Sequence, residues 1–396
     1  MFPSHPFAPL VIRGQTLLPI VQGGMGVGVS AHRLAGSVAR EGALGTIASI
    51  DLRHHHADLL ERCRTAPDRA TLEDANRVAL VREIRAARAL SEGRGMIAVN
   101  VMKAVNAHAD YVRIACEEGA DAIVMGAGLP LDLPDLTQGC DIALVPILSD
   151  SRGVGVVLKK WLKKGRLPDA IVIEHPAHAG GHLGVTHLDD MHDARFDFTR
   201  VLQEIDQLFT SLQINRTEVP VIVAGGINSH AAVRACFDAG ANGVQIGTPF
   251  AVTEEGDAHP NFKRVLADAT PDDIVEFVSV TGLPARAVKT PWLERYLRNE
   301  SRIRTKIGAL KRACPTALEC LSACGLRDGI EKFGHFCIDT RLAAALRGDV
   351  NNGLFFRGRE ALPFGTAIRS VRDLLELLLT GVARPAVAGR LAFSLG

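Results

Sequence analysis

Aromatic side chains are scarce in this chain: its 396 residues include only two Trp and two Tyr. So few rings leave little platform for stacked bases, which argues against a nucleic-acid partner. A charge excess is missing too. The net charge of +1 provides neither a basic field nor an acidic tail. No apolar run reaches the length of a membrane span; the longest candidate, residues 374–379, lies in the amphipathic stretch VRDLLELLLTGV. The opening MFPSHPFAPLVIRGQ lacks a basic region followed by an apolar one, so the expectation is a cytoplasmic protein without a signal peptide. C-x2-C pairs and a G-x-S-x-G elbow are also absent, which removes standard zinc fingers and the hydrolase nucleophile turn.

What is present is a rhythm. Short apolar runs recur at 18–22, 43–48, 95–101, 121–126, 142–148, 169–174, 219–225 and 243–247. Most are apolar on both faces, as strands of a helix-covered parallel sheet should be. Helical patterns lie between them at 31–42, 74–93, 153–165, 198–212 and 229–241, several ending in glycine. Eight such units predict an α/β fold, a (β/α)8 TIM barrel spanning 1–273, with a doubly wound open sheet as the rival. From 274 onward the rhythm changes. A strand and turn, a basic helix near 293–312, a Cys-rich stretch and a final helix near 370–380 predict a mostly helical C-terminal extension over 274–396, packing on the barrel.

Glycines mark the expected site. VQGGMGVGVSAH follows the first strand, and Gly26-x-Gly28-x-x-Ala31 with Asp51 downstream also fits a dinucleotide turn. A second glycine region, VAGGINSHAAVRACFDAGANGVQIGTPF, ends two adjacent strands at Gly225-Gly226 and Gly247-Thr248. Adjacent barrel loops of this kind form a phosphate cradle from backbone N–H groups, with no basic residue in view.

PIVQGGMGVGVS, GAGLP at 126–130, HAGGHLG and the second glycine region together resemble nitronate monooxygenases, formerly 2-nitropropane dioxygenases. These are FMN-dependent barrels related to the FMN-dependent enoyl-acyl-carrier-protein reductases. The resemblance covers about residues 17–290 and implies FMN across the barrel mouth. It places Gly24 and Met25 beside the flavin ring and Asn100 at the end of the third strand. Gly180, Gly181, Gly225, Gly226, Gly247 and Thr248 fall on the phosphate and ribityl chain, and Gln245 is a further neighbour.

The segment EHPAHAGGHLG, 174–184, admits a metal reading through Glu174, His178 and His182, but Gly180-Gly181 break the helix that such spacing needs. The resemblance instead makes His182 the catalytic base, taking a proton from a nitroalkane so that FMN can oxidise the nitronate. The family's glutamate two residues before the glycine pair is His178 here. Nitronate monooxygenation with O2 is therefore expected first. An NAD(P)H-dependent reductase of enoyl thioesters or quinones is the alternative, and a flavin-binding redox subunit the third. Cys314, Cys320, Cys324 and Cys337, spaced C-x5-C-x3-C-x12-C, could hold a [4Fe–4S] cluster or zinc, or be plain buried thiols. The expected partners are small molecules with O2 or NAD(P)H, with no membrane, and a homo-oligomer is left open.

Overall fold

The computed structural model describes residues 4–307 and 313–385. Each of the eight apolar runs forms a strand: β1 Ile20–Gln22, β2 Leu44–Ala48, β3 Met96–Met102, β4 Ala122–Gly126, β5 Ala143–Leu148, β6 Ile171–Glu174, β7 Val221–Ala224 and β8 Gly243–Ile246. They close into a parallel barrel in chain order, β8 pairing back on β1 through Val244–Ile20, Gln245–Val21 and Ile246–Gln22. That closure excludes the doubly wound sheet, which leaves two free edges.

Side chains alternate across each strand, so one parity fills the barrel and the other meets the helices. The interior set is small and apolar: Val21, Leu44, Ala98, Ala122, Val124, Ala143, Val145, Val172 and Ile222. Below it a hairpin, Leu10–Ile12 with Gln15–Leu17, plugs the barrel with Leu10, Ile12 and Leu17. Two residues further along the same parity, at the C-terminal ends, three strands turn polar with Asn100, Glu174 and Gln245, while Ile147 stays apolar. A floor of alanine and valine therefore carries a polar layer at the mouth, where barrel sites are built.

The helix His32–Arg40 follows the first glycine loop, and no side chain at its own N-cap bonds back to it. Asp257, from far along the chain, does that work instead. Its carboxylate accepts from the backbone N–H of Ala31 at 2.8 Å, Leu34 at 3.1 Å and Arg33 at 3.1 Å. A dinucleotide phosphate would need those same N–H groups. Asp51, the other half of that rival motif, is fully buried and engaged with Arg53 and Asn76, out of reach of any ribose. The dinucleotide turn is thereby excluded.

The chain beyond 273 turns back on the barrel. The hairpin Ile274–Val278 with Pro284–Val288 adds Gly181 and His182 as a third antiparallel strand. A helix Pro291–Ile307 follows; the remainder of the expected basic helix lies outside the described residues. The last helix, Val371–Thr380, sits against His230–Asp238, where His230 Nδ1 donates to the Leu378 carbonyl at 3.0 Å. No helix among the described residues is long and apolar enough to cross a membrane.

Replacing Asp257 by Ala leaves three N–H groups at a buried helix start without their acceptor. Asp257→Ala should lower unfolding free energy by about 1–3 kcal/mol, read from urea denaturation midpoints. An unchanged midpoint would show that the remote cap contributes nothing.

Candidate active site

A cavity of ≈760 Å³ opens at the C-terminal mouth of the barrel, within the usual size of small-molecule sites. Of the residues singled out by sequence, Gly24, Met25, Asn100, Gly180, Gly181, His182, Gly225, Gly226, Gln245, Gly247, Thr248 and Cys320 all line it. Cys314, Cys324 and Cys337 do not.

Gly24 is glycine because of Asn100: a Cβ on it would stand 2.3 Å from the Asn100 Cβ. Asn100 in turn donates through Nδ2 to the Val124 carbonyl at 3.1 Å, which fixes it at the rim. Gly225 and Gly226 both hold positive φ, +107° and +75°, and lie against His175 and His178. Gln245 is 7% exposed, and its Oε1 has no hydrogen-bond partner. A buried carbonyl left open in this way is an acceptor awaiting a donor.

The loop carrying His182 is clamped by Arg286, which is fully buried. Arg286 pairs with Glu276 at 2.8 Å and donates to the carbonyls of Ala179 and Pro176. The adjoining hairpin turn delivers Ser279, whose Oγ lies 2.8 Å from His182 Nε2. Phe356 packs edge-on against the imidazole, with centroids 5.7 Å apart. With Nε2–H donating to Ser279 Oγ, Nδ1 keeps the lone pair that can accept a proton. Burial disfavours the imidazolium and lowers the His182 pKa to about 4. Glu174 also reaches only the cavity, and burial pushes its carboxyl up to about 7.

His178, the departure from the expected glutamate, pairs through Nδ1 with Glu360 Oε1 at 2.8 Å. A carboxylate thus stands beside this position after all, brought by a segment 182 residues away. Gly180 makes room for that same segment, because a Cβ there would lie 2.6 Å from the backbone at Arg357 and Gly358. The phosphate cradle expected without a basic residue has one on its wall: Arg357 lines the cavity. Ser279, Arg286, Arg357 and Glu360 all escaped the sequence reading, since each meets the site from more than ninety residues away or as a lone residue without a motif.

Glu174, His178 and His182 do not converge as metal ligands; the described residues that could do so are Asp51, His54 and Asp339. The four C-terminal cysteines are free, and no three of their thiols lie within 4.8 Å of one another. Burial, with the neighbouring thiols, pushes Cys320 up to about 12.

The nitronate monooxygenase family model matches residues 13–381. A probable nitronate monooxygenase of Bacillus subtilis is 29% identical over 286 residues, covering 70% of this chain and 78% of the relative. Among solved structures, FabK from Thermotoga maritima superposes with a TM-score of 0.64 at 21% identity, covering 91% of both chains. A nitroalkane oxidase from Streptomyces ansochromogenes gives 0.59 at 21% identity, covering 91% of this chain and 94% of its own. At that identity the two structures speak to the fold.

The imidazole environment gives a direct expectation. His182 should titrate near pH 4, and so be neutral at every pH well above it, in an NMR titration of the labelled ring. A midpoint at the ordinary 6.5 would contradict the enclosure of the ring.

Proposed function

Because the chain belongs to the nitronate monooxygenase family, we propose that this oxidoreductase binds FMN in the barrel mouth and oxidises alkyl nitronates with O2. His182 is its base when a neutral nitroalkane is offered. The observation that carries the reading is the pairing, in one cavity, of a neutral, anchored imidazole with the unpartnered Gln245 acceptor. A flavin ring carries an N–H that suits such an acceptor. Gly24, Met25 and Asn100 offer a flat rim, and Gly225, Gly226, Gly247 and Thr248 border the end where a phosphate fits. When bound, FMN supplies the acceptor for the substrate's electrons and passes them to O2.

The protein's own contributions are positional and protonic. Ser279 holds the His182 ring through Nε2, so that Nδ1 receives the proton from the carbon beside the nitro group. An imidazole held near 4 takes up that proton less readily than one at its ordinary value. A nitronate has already lost it and asks nothing of the base, which gives it a kinetic preference although burying its charge is itself costly. Glu174 limits that preference. Below about pH 7 its carboxyl is neutral; above it, a second negative charge shares the cavity with the substrate.

The test measures O2 uptake by FMN-loaded protein. His182→Ala should lower kcat/KM for neutral nitroalkane by about 10² or more and cost much less with preformed nitronate. Unchanged turnover of neutral nitroalkane sinks the base assignment. Activity on nitronate should decline as pH rises through about 7, and Glu174→Gln should remove that decline. Anaerobic bleaching by NAD(P)H but not by nitronate would replace this reading with a flavin reductase.

A further inference from the structure

Two arginines line the cavity among the described residues, and they are not equivalent. Arg195 lies 3.6 Å from Asp190 and 3.9 Å from Asp193. Arg357 is 3% exposed, and no described carboxylate comes within 4.0 Å of its guanidinium. Its recorded hydrogen bonds go to neutral carbonyls: Nε to Leu266 at 2.9 Å and Nη1 to Gly358 at 3.3 Å. Burial lowers its pKa, opposed only by the more distant charge of Asp273. A desolvated guanidinium without a counter-charge is costly, and proteins retain one where an anion arrives to meet it.

Its position says which part of a ligand it faces. Arg357 belongs to a strap, Phe356 to Leu362, that crosses the cavity beside the second glycine region. Gly358 N–H donates to Thr248 Oγ1 at 3.0 Å, and Arg359 N–H reaches the His178 carbonyl at 3.4 Å. The His178–Glu360 pair closes the far side of the strap. The guanidinium lines the cavity and bonds the carbonyl of Gly358, the residue whose N–H meets Thr248, so the cation is tied to the strap on the Thr248 side.

We propose that Arg357, carried by the C-terminal strap, is the counter-charge for a phosphate monoester bound between Gly225-Gly226, Gly247-Thr248 and the strap, and that it makes the site select FMN over riboflavin. The proposal rests on the flavin reading above, and goes beyond it by assigning the selection to one residue outside the barrel. Arginine suits the task because its charge persists at every working pH and its fork matches phosphate oxygens.

The experiment titrates cofactor-stripped full-length protein with FMN and with riboflavin, following flavin fluorescence. It compares the native chain with Arg357→Lys, Arg357→Gln and Arg357→Met. The native chain should prefer FMN, Arg357→Lys should retain most of that preference, and the two neutral variants should lose about tenfold or more of it, roughly 1.4 kcal/mol or more. Riboflavin affinity should change little. An equal FMN-to-riboflavin ratio across all four proteins overturns the proposal. So does loss of both flavins together in the neutral variants, which would mark Arg357 as structural. If the native chain binds neither flavin, the cofactor reading itself fails, and this failure is separate from an unchanged ratio.

Discussion

Closure of eight strands leaves an interior just wide enough for small side chains, and the site depends on that constraint. Ala98, Ala122, Ala143, Val145 and Val172 fill the space without a polar atom to satisfy. The same parity that turns them inward must also turn inward whatever comes two residues later. Asn100, Glu174 and Gln245 consequently project into one cavity at the mouth without any loop having to place them. The rim is rigid for the same reason: Gly23 N–H bonds the Ile246 carbonyl at 2.9 Å, closing the barrel directly beneath the first glycine loop. Groups held on such a frame pay little reorganisation when a ligand arrives.

The loop carrying His182 has no such frame of its own. Its backbone carbonyls at Pro176 and Ala179 are held by Arg286, and its short strand at Gly181-His182 is completed by the hairpin of residues 274–288. The segment beyond the barrel thus supplies the clamp, the Ser279 anchor, the strap over the cradle and the ring that packs on His182. Fold and site are coupled here: the segment that stabilises the loop also packs on its imidazole through Ser279 and Phe356, and burial lowers the pKa of that ring.

The strands were legible because a buried parallel sheet writes itself as apolar runs, and all eight runs fall where strands form. The glycine pairs were legible because close approach and positive φ admit little else; Gly24 and Gly226 have no room for a Cβ. The first glycine loop was ambiguous in one respect. Its local pattern fits a dinucleotide turn, yet the helix start is filled by Asp257, 226 residues away from Ala31. Ser279, Arg286 and Arg357 were invisible for the same reason in reverse, since nothing local marks a serine in a turn or an arginine in a strap. The His178 substitution looked like the loss of a carboxylate; Glu360 brings one back through space, a compensation that no single stretch of sequence records.

These couplings bear on what the cavity prefers to act on. A base is most effective when its pKa lies near the working pH, and enclosure has moved His182 well below that. Enclosure has moved Glu174 the other way, towards neutrality. Both shifts have one cause: the cavity withholds water from charge. Such a site gains little from generating an anion within itself. An anion that arrives already formed meets the same desolvation cost, which neutral donors and a protonated Glu174 must offset. The proposed preference for nitronate over neutral nitroalkane therefore rests on the weakness of the base, since desolvation opposes an anionic substrate as it opposes the charged forms of His182 and Glu174.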